Sequence, residues 1–524
     1  MVDLQPFSNP VTGIDTVFTK CSPFVHISPT GQRHYRNRGP AEKAAGPIIS
    51  QGGSMSAFKQ KAGKLGVRAG FLAAASAAVL AIGGASAGSA LAAECGSGTP
   101  ANIQGQGSSL QRIAQEVLTG RVVPTVLGTA LPHTALTPAS GYAAACPSGT
   151  TVSYTSTSSG KGLTAFRFNG AGSIENGGTE PEKGFAYVGS DDGPNATQIE
   201  NAEKATTGGV LTGAKPLIIP VAQTAIAVPI HLPASCAFTT EKGLTYTDLN
   251  AIFNGKMKSW SEVSNLTGAG CTGTITRVVR AEGSGTTFQF KNYLQALQTG
   301  HSGVGPECGV SNWSELEEIG AEEKPNITWP ECEISAGNPR IAVVRKAGGG
   351  EVAAYIAANA GTIGYAALPD AKSKSAAVAR LQDKGGATPA YATPEAETGE
   401  KANCGTRVYT VPTPGRAAGP GGVPPAESGL AVNWSQVFGA SAEVGGELYP
   451  LCTLTYDISW NSYEKAGYSN SANVAADVKK YINYVLSTEG QTLVNSHYYQ
   501  KLPSPTSQVE NVLGAAQLAA GNIG

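Results

Sequence analysis

RAEGSGTTF, residues 280–288, runs on into QFKNYLQAL, and together they read as a tight turn feeding a helix. Phe288, Leu294 and Leu297 recur at roughly helical spacing after Gly285. Ser, Thr and Gly at a helix start leave the first backbone N–H groups unpaired and pointing outward, with hydroxyls beside them. The helix dipole adds partial positive charge there, so such an end binds anions. Ser284, Gly285 and Thr286 supply that chemistry, and Arg280 stands just before them with a planar guanidinium fork.

Three more clusters of this kind lie upstream: GQGSSLQ at 105–111, STSSGKG at 156–162 and YVGSDDG at 187–193. Singly, each also fits a capped turn, Asp191 fits an N-cap or turn residue, and Arg280 fits a salt-bridge partner. A P-loop is excluded, because neither GSGTT nor SSGKG has the G-x-x-x-x-G-K-[ST] spacing. Around the clusters, short β-rich runs alternate with helical ones. TVSYTST (151–157) alternates as a strand, and PLIIPVAQTAIAVPI (216–230) reads as buried strands interrupted by proline. TYTDLNAIFNG predicts a helix capped by Thr247. EVAAYIAANAG predicts a short helix stopped by Gly361, followed by the strand TIGYAAL. Residues 472–494 carry the longest amphipathic helix pattern. Strands alternating with helices predict an α/β protein. Residues 121–150, 300–335 and 370–430 are less regular and read as insertions or surface excursions.

The bulk numbers narrow the function. Lys+Arg total 37 and Asp+Glu 38 in 524 residues, so no basic excess argues for nucleic acid. Residues 55–93 have the pattern of a secretory signal: Lys59, Lys61, Lys64 and Arg68, then an apolar run 71–82, then Ala90-Leu91-Ala92 as an A-x-A cleavage site. Glu94 before Cys95 breaks a lipobox, so the expected product is free in the periplasm or secreted. Residues 1–54 precede that signal and are expected to be a mis-called or disordered extension, with Met55 the true start. Nine cysteines are present, Cys21 in that extension and eight after the signal. An even count in an exported chain predicts disulfides, with sequence neighbours preferred as partners: Cys95 with Cys146, Cys236 with Cys271, Cys308 with Cys332, Cys404 with Cys452. No CxxC pair exists and His133, His231, His301 and His497 are scattered, so no zinc site is expected.

In order and combination, the motifs resemble those of the phosphate-binding proteins of bacterial phosphate ABC importers, within the type 2 periplasmic binding proteins. GQGSSLQ resembles the family's Gly-x-Gly-x-Thr-Phe turn, with Ser109 and Leu110 replacing Thr and Phe. VSYTSTSSGKG resembles Tyr-x-x-x-Gly-Ser-Gly, and YVGSDDG resembles Gly-x-Ser-Asp. YTDLNAIFNGKMKSW resembles a segment with the pattern Ile-Phe-x-Gly-x-x-x-x-Trp. RAEGSGTTF resembles Arg-x-Asp-Gly-Ser-Gly-Thr, with Glu282 in place of Asp. GTIGYAAL and the ending STEGQTLVNSHYYQKLP also have counterparts, so the resemblance runs from about Gly105 to Pro503.

This resemblance implies two α/β lobes joined by two crossing strands, with a hinge and an interlobe ligand cleft. Residues 94–221 and 366–524 form the first lobe and 222–365 the second. It places Ser109, Ser159 and Asp191 on the ligand from the first lobe, and Arg280, Ser284, Gly285 and Thr286 from the second. It implies inorganic phosphate as the ligand and a membrane ABC permease as the partner. It also implies a monomer that needs no catalytic residue, metal or cofactor. A carboxylate beside an anion repels it unless the anion carries a proton to donate, so Asp191 would select hydrogen phosphate over sulfate. Asp192 is a second candidate for that acceptor. Two other readings stay open at this point. One is a secreted phosphatase or serine hydrolase using Ser284 or Ser159 as nucleophile, although no G-x-S-x-G elbow is visible and no histidine is near either serine in sequence. The other is a binding or adhesion protein that kept the scaffold without transport.

Overall fold

Among the described residues the longer strands sort into two main sheets, with three two-stranded ribbons beside them. The computed structural model describes residues 102–124, 136–137, 139–147, 149–168, 184–204, 206–207, 210–211, 213–297, 327–330, 342–384, 390–405, 447–504 and 512–524. All of them belong to the unit Ile82–Gly524. The segment 1–54, the signal pattern at 55–93, and Cys21, Cys95, Cys308 and Cys332 lie outside the described residues. Among the described residues, no helix is long and apolar enough to cross a membrane.

The first sheet contains β1 (Ile103–Gly107), β2 (Val152–Ser156), β3 (Tyr187–Ser190), β4 (Pro216–Ala227), β9 (Ala366–Ala367), β10 (Cys452–Trp460) and β11 (Tyr499–Gln500). Its order is β9-β4-β10-β3-β1-β2, with β11 also on β4. β1 runs parallel to β2 and β3, whereas β10 is antiparallel to both β3 and β4. All twelve residues of β4 are buried, and all but Gln223 and Thr224 are apolar, as expected of a strand in a sheet covered on both faces. Pro220 does not interrupt it. The register slips between Thr455 and Tyr456, where Pro220 and Ala222 face β10, so the residue that cannot donate a ladder hydrogen bond sits at an irregularity.

The second sheet has the order β7-β6-β8-β5, from β5 (Ile230–His231), β6 (Thr276–Arg280), β7 (Ala342–Lys346) and β8 (Thr362–Gly364). β6 is parallel to β7 and β8. The chain passes between the sheets twice, after Ala227 and after Gly364. The second passage splits TIGYAAL into β8 and β9, with Tyr365 between them. Tyr365 is buried and stacks on Phe290 and Trp329, with Phe253 edge-on to Phe290, so an aromatic cluster supports the crossing. Past β9 the chain leans back towards the second sheet, where Val378 bridges Pro229 and Leu381 bridges Leu244.

Helices follow the strands: α1 (Arg112–Thr119), α2 (Ser159–Ala165), α3 (Tyr246–Phe253), α4 (Gly285–Leu297), α5 (Gly348–Ala358), α6 (Leu368–Ser373), α7 (Ser471–Val485), α8 (Thr488–Asn495) and α9 (Val512–Gly521). Two differ from the sequence reading. Thr245, not Thr247, caps α3, accepting from the Asp248 N–H at 2.9 Å. The long pattern at 472–494 is two helices, because Ser487 caps a new start by accepting from Gly490 N–H. Gly490 also lets that turn close: a Cβ there would lie 2.3 Å from the Tyr484 carbonyl oxygen. Disulfides join Cys236 to Cys271 and Cys404 to Cys452, the pairs expected from sequence. Cys146 is disulfide-bonded too, while the expected partner Cys95 and the pair Cys308–Cys332 lie outside the described residues.

Candidate functional site

In open α/β sheets, ligands bind beyond the carboxyl ends of the parallel strands. Here the ends of β1, β2 and β3 meet the end of β6 at one residue. Asp191 follows β3 and is 1% exposed. Its Oδ1 accepts from the hydroxyl of Ser108, just past β1, and from Thr455 of β10 at 2.9 Å. Its Oδ2 accepts from Ser159, the first residue of α2, at 3.3 Å. Thr286 of α4 donates to the same oxygen at 3.2 Å, and this bond joins the two lobes. One turn into α4, Gln289 Nε2 donates to the Asp191 backbone carbonyl at 2.9 Å.

The approach is close because Gly285 has no side chain. A Cβ there would stand 2.6 Å from the Asp192 nitrogen and 2.7 Å from Ser159 Oγ. Gly160 plays a similar part opposite, where a Cβ would meet Ile327 Cδ1 at 2.9 Å.

Burial pushes the Asp191 carboxyl up, while the Ser108 and Thr455 hydroxyls, Arg280 and Thr286 pull it back down. Asp192 is pushed up to about 8 by burial and by the neighbouring Asp191. The hydroxyl donors gather on Asp191, so of the two carboxylates it is the better-built acceptor.

The remaining candidates surround this point. Ser109 is buried and its Oγ has no hydrogen-bond partner among the described residues. Ser284 accepts from the Thr287 N–H at 3.3 Å, so its hydroxyl also caps α4, and its own N–H donates to the Ile327 carbonyl at 2.8 Å. Arg280, at the end of β6, is 1% exposed. Its Nε donates to Glu282 Oε1 at 2.7 Å, and Nη2 bonds the same oxygen. The longer Glu282, where the resembling family has Asp, also accepts from the Gly348 N–H at 2.9 Å and so ties Arg280 to the start of α5. Ser159, Asp191, Gly285 and Thr286 therefore touch one another, while Ser109, Ser284 and Arg280 line the surroundings.

Sequence reasoning missed Ser108, Thr455, Gln289 and Tyr365, whose hydroxyl bonds Thr287 Oγ1 at 2.8 Å and accepts from the Arg280 N–H at 3.3 Å. Ser108 stood inside a quoted motif and could have been weighed with Ser109. Thr455 is 264 positions from Asp191 and carried no local signal.

Hydroxyl donors, a helix start, a guanidinium and one acceptor suit an oxyanion that must lose its water. Among the described residues no cluster of His, Cys, Asp or Glu suits a metal ion. Neither described histidine bonds a site serine: His231 bonds the Ile356 carbonyl, and His497 bonds Ser496 and the Leu493 carbonyl.

Two α/β lobes meeting around such a group of donors define the two-lobed architecture of the periplasmic-binding-protein fold. Residues 122–489 match the family described as the PBP superfamily domain, and the chain belongs to that family. A phosphate-binding protein of an unknown prokaryotic organism is 33% identical over 153 residues, covering 29% of this chain and 37% of that protein. Alkaline phosphatase L of Pseudomonas aeruginosa is 31% identical over 147 residues, covering 27% of this chain and 34% of the relative. The chain thus aligns with little more than a third of these relatives' length. Similar solved structures include a DING protein, at 20% identity and TM-score 0.48, covering 77% of this chain and 92% of that one. Another is a phosphate-binding protein from Stenotrophomonas maltophilia, at 20% identity and TM-score 0.49, covering 79% and 93%.

Proposed function

We propose that this protein captures inorganic phosphate outside the cytoplasm and delivers it to the membrane permease of an ABC-type importer. The observation that carries the reading is the buried Asp191 carboxylate, with hydroxyls from both lobes on it and Arg280 near it. Thr286, Ser159 and Ser109 supply hydroxyl donors to the phosphate oxygens, the start of α4 supplies backbone N–H groups, and Arg280 supplies charge. Asp191 accepts the proton of hydrogen phosphate. Sulfate at neutral pH has no such proton and meets only repulsion. Two crossing segments, 227–230 and 364–366, serve as the hinge, and closure brings Thr286 and Gln289 onto Asp191. The disulfides fit an oxidising compartment, and the phosphate-binding relative supports the ligand.

The test is calorimetric titration of the mature chain with phosphate, arsenate and sulfate at pH 7. Phosphate and arsenate should bind, and sulfate should be weaker by about four orders of magnitude, the discrimination typical of a site built around one hydrogen bond. Comparable affinities for phosphate and sulfate would remove Asp191 from this role.

A further inference from the structure

Behind Asp191 a file of buried polar side chains runs through the first lobe, and its hydrogen bonds have one direction. Gln115, on α1, accepts at Oε1 from the hydroxyls of Tyr187, at 3.1 Å, and Tyr481, at 2.7 Å. Burial pushes both phenols well above their ordinary range, so both remain donors. With its oxygen so occupied, the Gln115 amide turns its nitrogen the other way, to Asp457 Oδ1 at 3.0 Å and Gln111 Oε1 at 3.0 Å. Gln111 must then point its own nitrogen onward, to Thr455 Oγ1 at 2.7 Å and to the Tyr456 carbonyl at 2.7 Å. Thr455 Oγ1 has one proton. Having accepted from Gln111, it gives that proton to Asp191 Oδ1 at 2.9 Å, the nearer of its two acceptors; the other, the Ser190 carbonyl, lies at 3.3 Å. Gln111, Gln115, Thr455 and Asp457 are each at most 1% exposed, and such directed chains polarise their members in a low-dielectric interior.

We propose that Gln115, Gln111 and Thr455 are positioning residues that hold Asp191 Oδ1 as an anchored acceptor, leave Oδ2 to read the ligand, and thereby set the preference for protonated over unprotonated tetrahedral oxyanions. The inference rests on the phosphate reading above. Its geometric basis is the split between the two oxygens. Oδ1 is held by Ser108 and Thr455 from within the first lobe, whereas Oδ2 faces Ser159 and Thr286 at the junction of the lobes. Without its donors on Oδ1, the buried carboxyl retains a proton more readily, becomes a donor itself and no longer repels sulfate.

The test compares Thr455→Val, which keeps the shape and removes the hydroxyl, with Thr455→Ser, which restores it. Gln111→Leu is a second break in the file should Thr455→Val not fold. The other charged or titratable groups that act on Asp191 or feel its charge are Arg280, Asp192, Tyr154 and Tyr499, and all remain in place. Two quantities are read on the full mature chain. One is the phosphate-to-sulfate affinity ratio. The other is the titration of the Asp191 carboxyl carbon, followed by NMR with labelled aspartate and assigned with Asp191→Asn. Thr455→Val should narrow the ratio about tenfold, the worth of one hydrogen bond to a charged group, and should move the titration to higher pH. Thr455→Ser should return both. An unchanged ratio and titration in Thr455→Val and Gln111→Leu would overturn the proposal. If the unmodified protein binds neither anion, the phosphate reading fails and the titration decides alone. An upward shift reversed by Thr455→Ser then supports the file's role, and no shift overturns it.

Discussion

Replacing Gly285 by alanine separates folding from capture more cleanly than any change of a charged group. Gly285 opens α4 and does not have the positive φ that would strain another residue. Within its own helix, alanine is favoured over glycine by up to about 1 kcal/mol. Across the cleft the same methyl has no room. Its carbon would lie 2.6 Å from the Asp192 nitrogen, 2.7 Å from Ser159 Oγ and 2.9 Å from the Asp191 carbonyl carbon. Ser159 can turn away, but two of the three atoms are backbone of the turn after β3, so the lobes must part. Overpacking of this kind costs roughly 1–3 kcal/mol. If that cost falls only on the conformation in which the lobes touch, phosphate affinity drops by about 5- to 150-fold. The two effects have opposite signs. The Tm of the protein without phosphate should hold or rise, and the Kd measured by calorimetry should rise. Gly285→Ala with unchanged affinity would show that the contact between the start of α4 and the Asp191 turn is not part of capture.

Arg280→Ala should leave the fold intact by circular dichroism and weaken phosphate binding by about 3 kcal/mol, because the buried anion loses its charged partner; unchanged binding would place the anion elsewhere. Stability should depend on pH through Asp192 and Asp457, pushed up to about 8 and about 7 by burial first of all. The folded state keeps protons that the unfolded chain releases near 3.8. Stability is therefore greatest at low pH within this window and falls as pH rises from about 4 to about 8. Melting curves across that range should show the decline for the native chain and a shallower one for Asp192→Asn; equal slopes would contradict the assignment.

The sequence was most legible where function depends on local backbone. Ser284, Gly285 and Thr286 announce a helix start whether or not the rest of the protein is known, and Arg280 leads into it along the same strand. Cys236 and Cys271 could be paired because nearness along the chain coincides with nearness in space. Legibility ends where sheet topology takes over. Thr455 and Asp457 reach the site region only because β10 inserts between β3 and β4, and no spacing in the sequence expresses that insertion. Gln111 closes the quoted GQGSSLQ cluster and Gln115 lies just beyond it, and nothing local marks either until β10 is laid beside them. The helix pattern at 472–494 failed for a related reason. Periodicity survives the interruption at Ser487, and only the new cap reveals it.

The same insertion of β10 governs the order in which the molecule can be assembled during synthesis. Every strand of the second sheet comes from residues 230–364, so that sheet can close while the ribosome is still producing the remainder. The first sheet cannot. β3 and β4 share no hydrogen bonds, and each must wait for Cys452–Trp460 to fill the gap between them. Until then the twelve residues of β4, all but Gln223 and Thr224 apolar, lack their main partner, and an exposed strand edge of that kind recruits other chains. A nascent chain stopped short of Cys452 is thus no smaller version of the binding protein. It holds one closed sheet beside a strand edge left open to other chains.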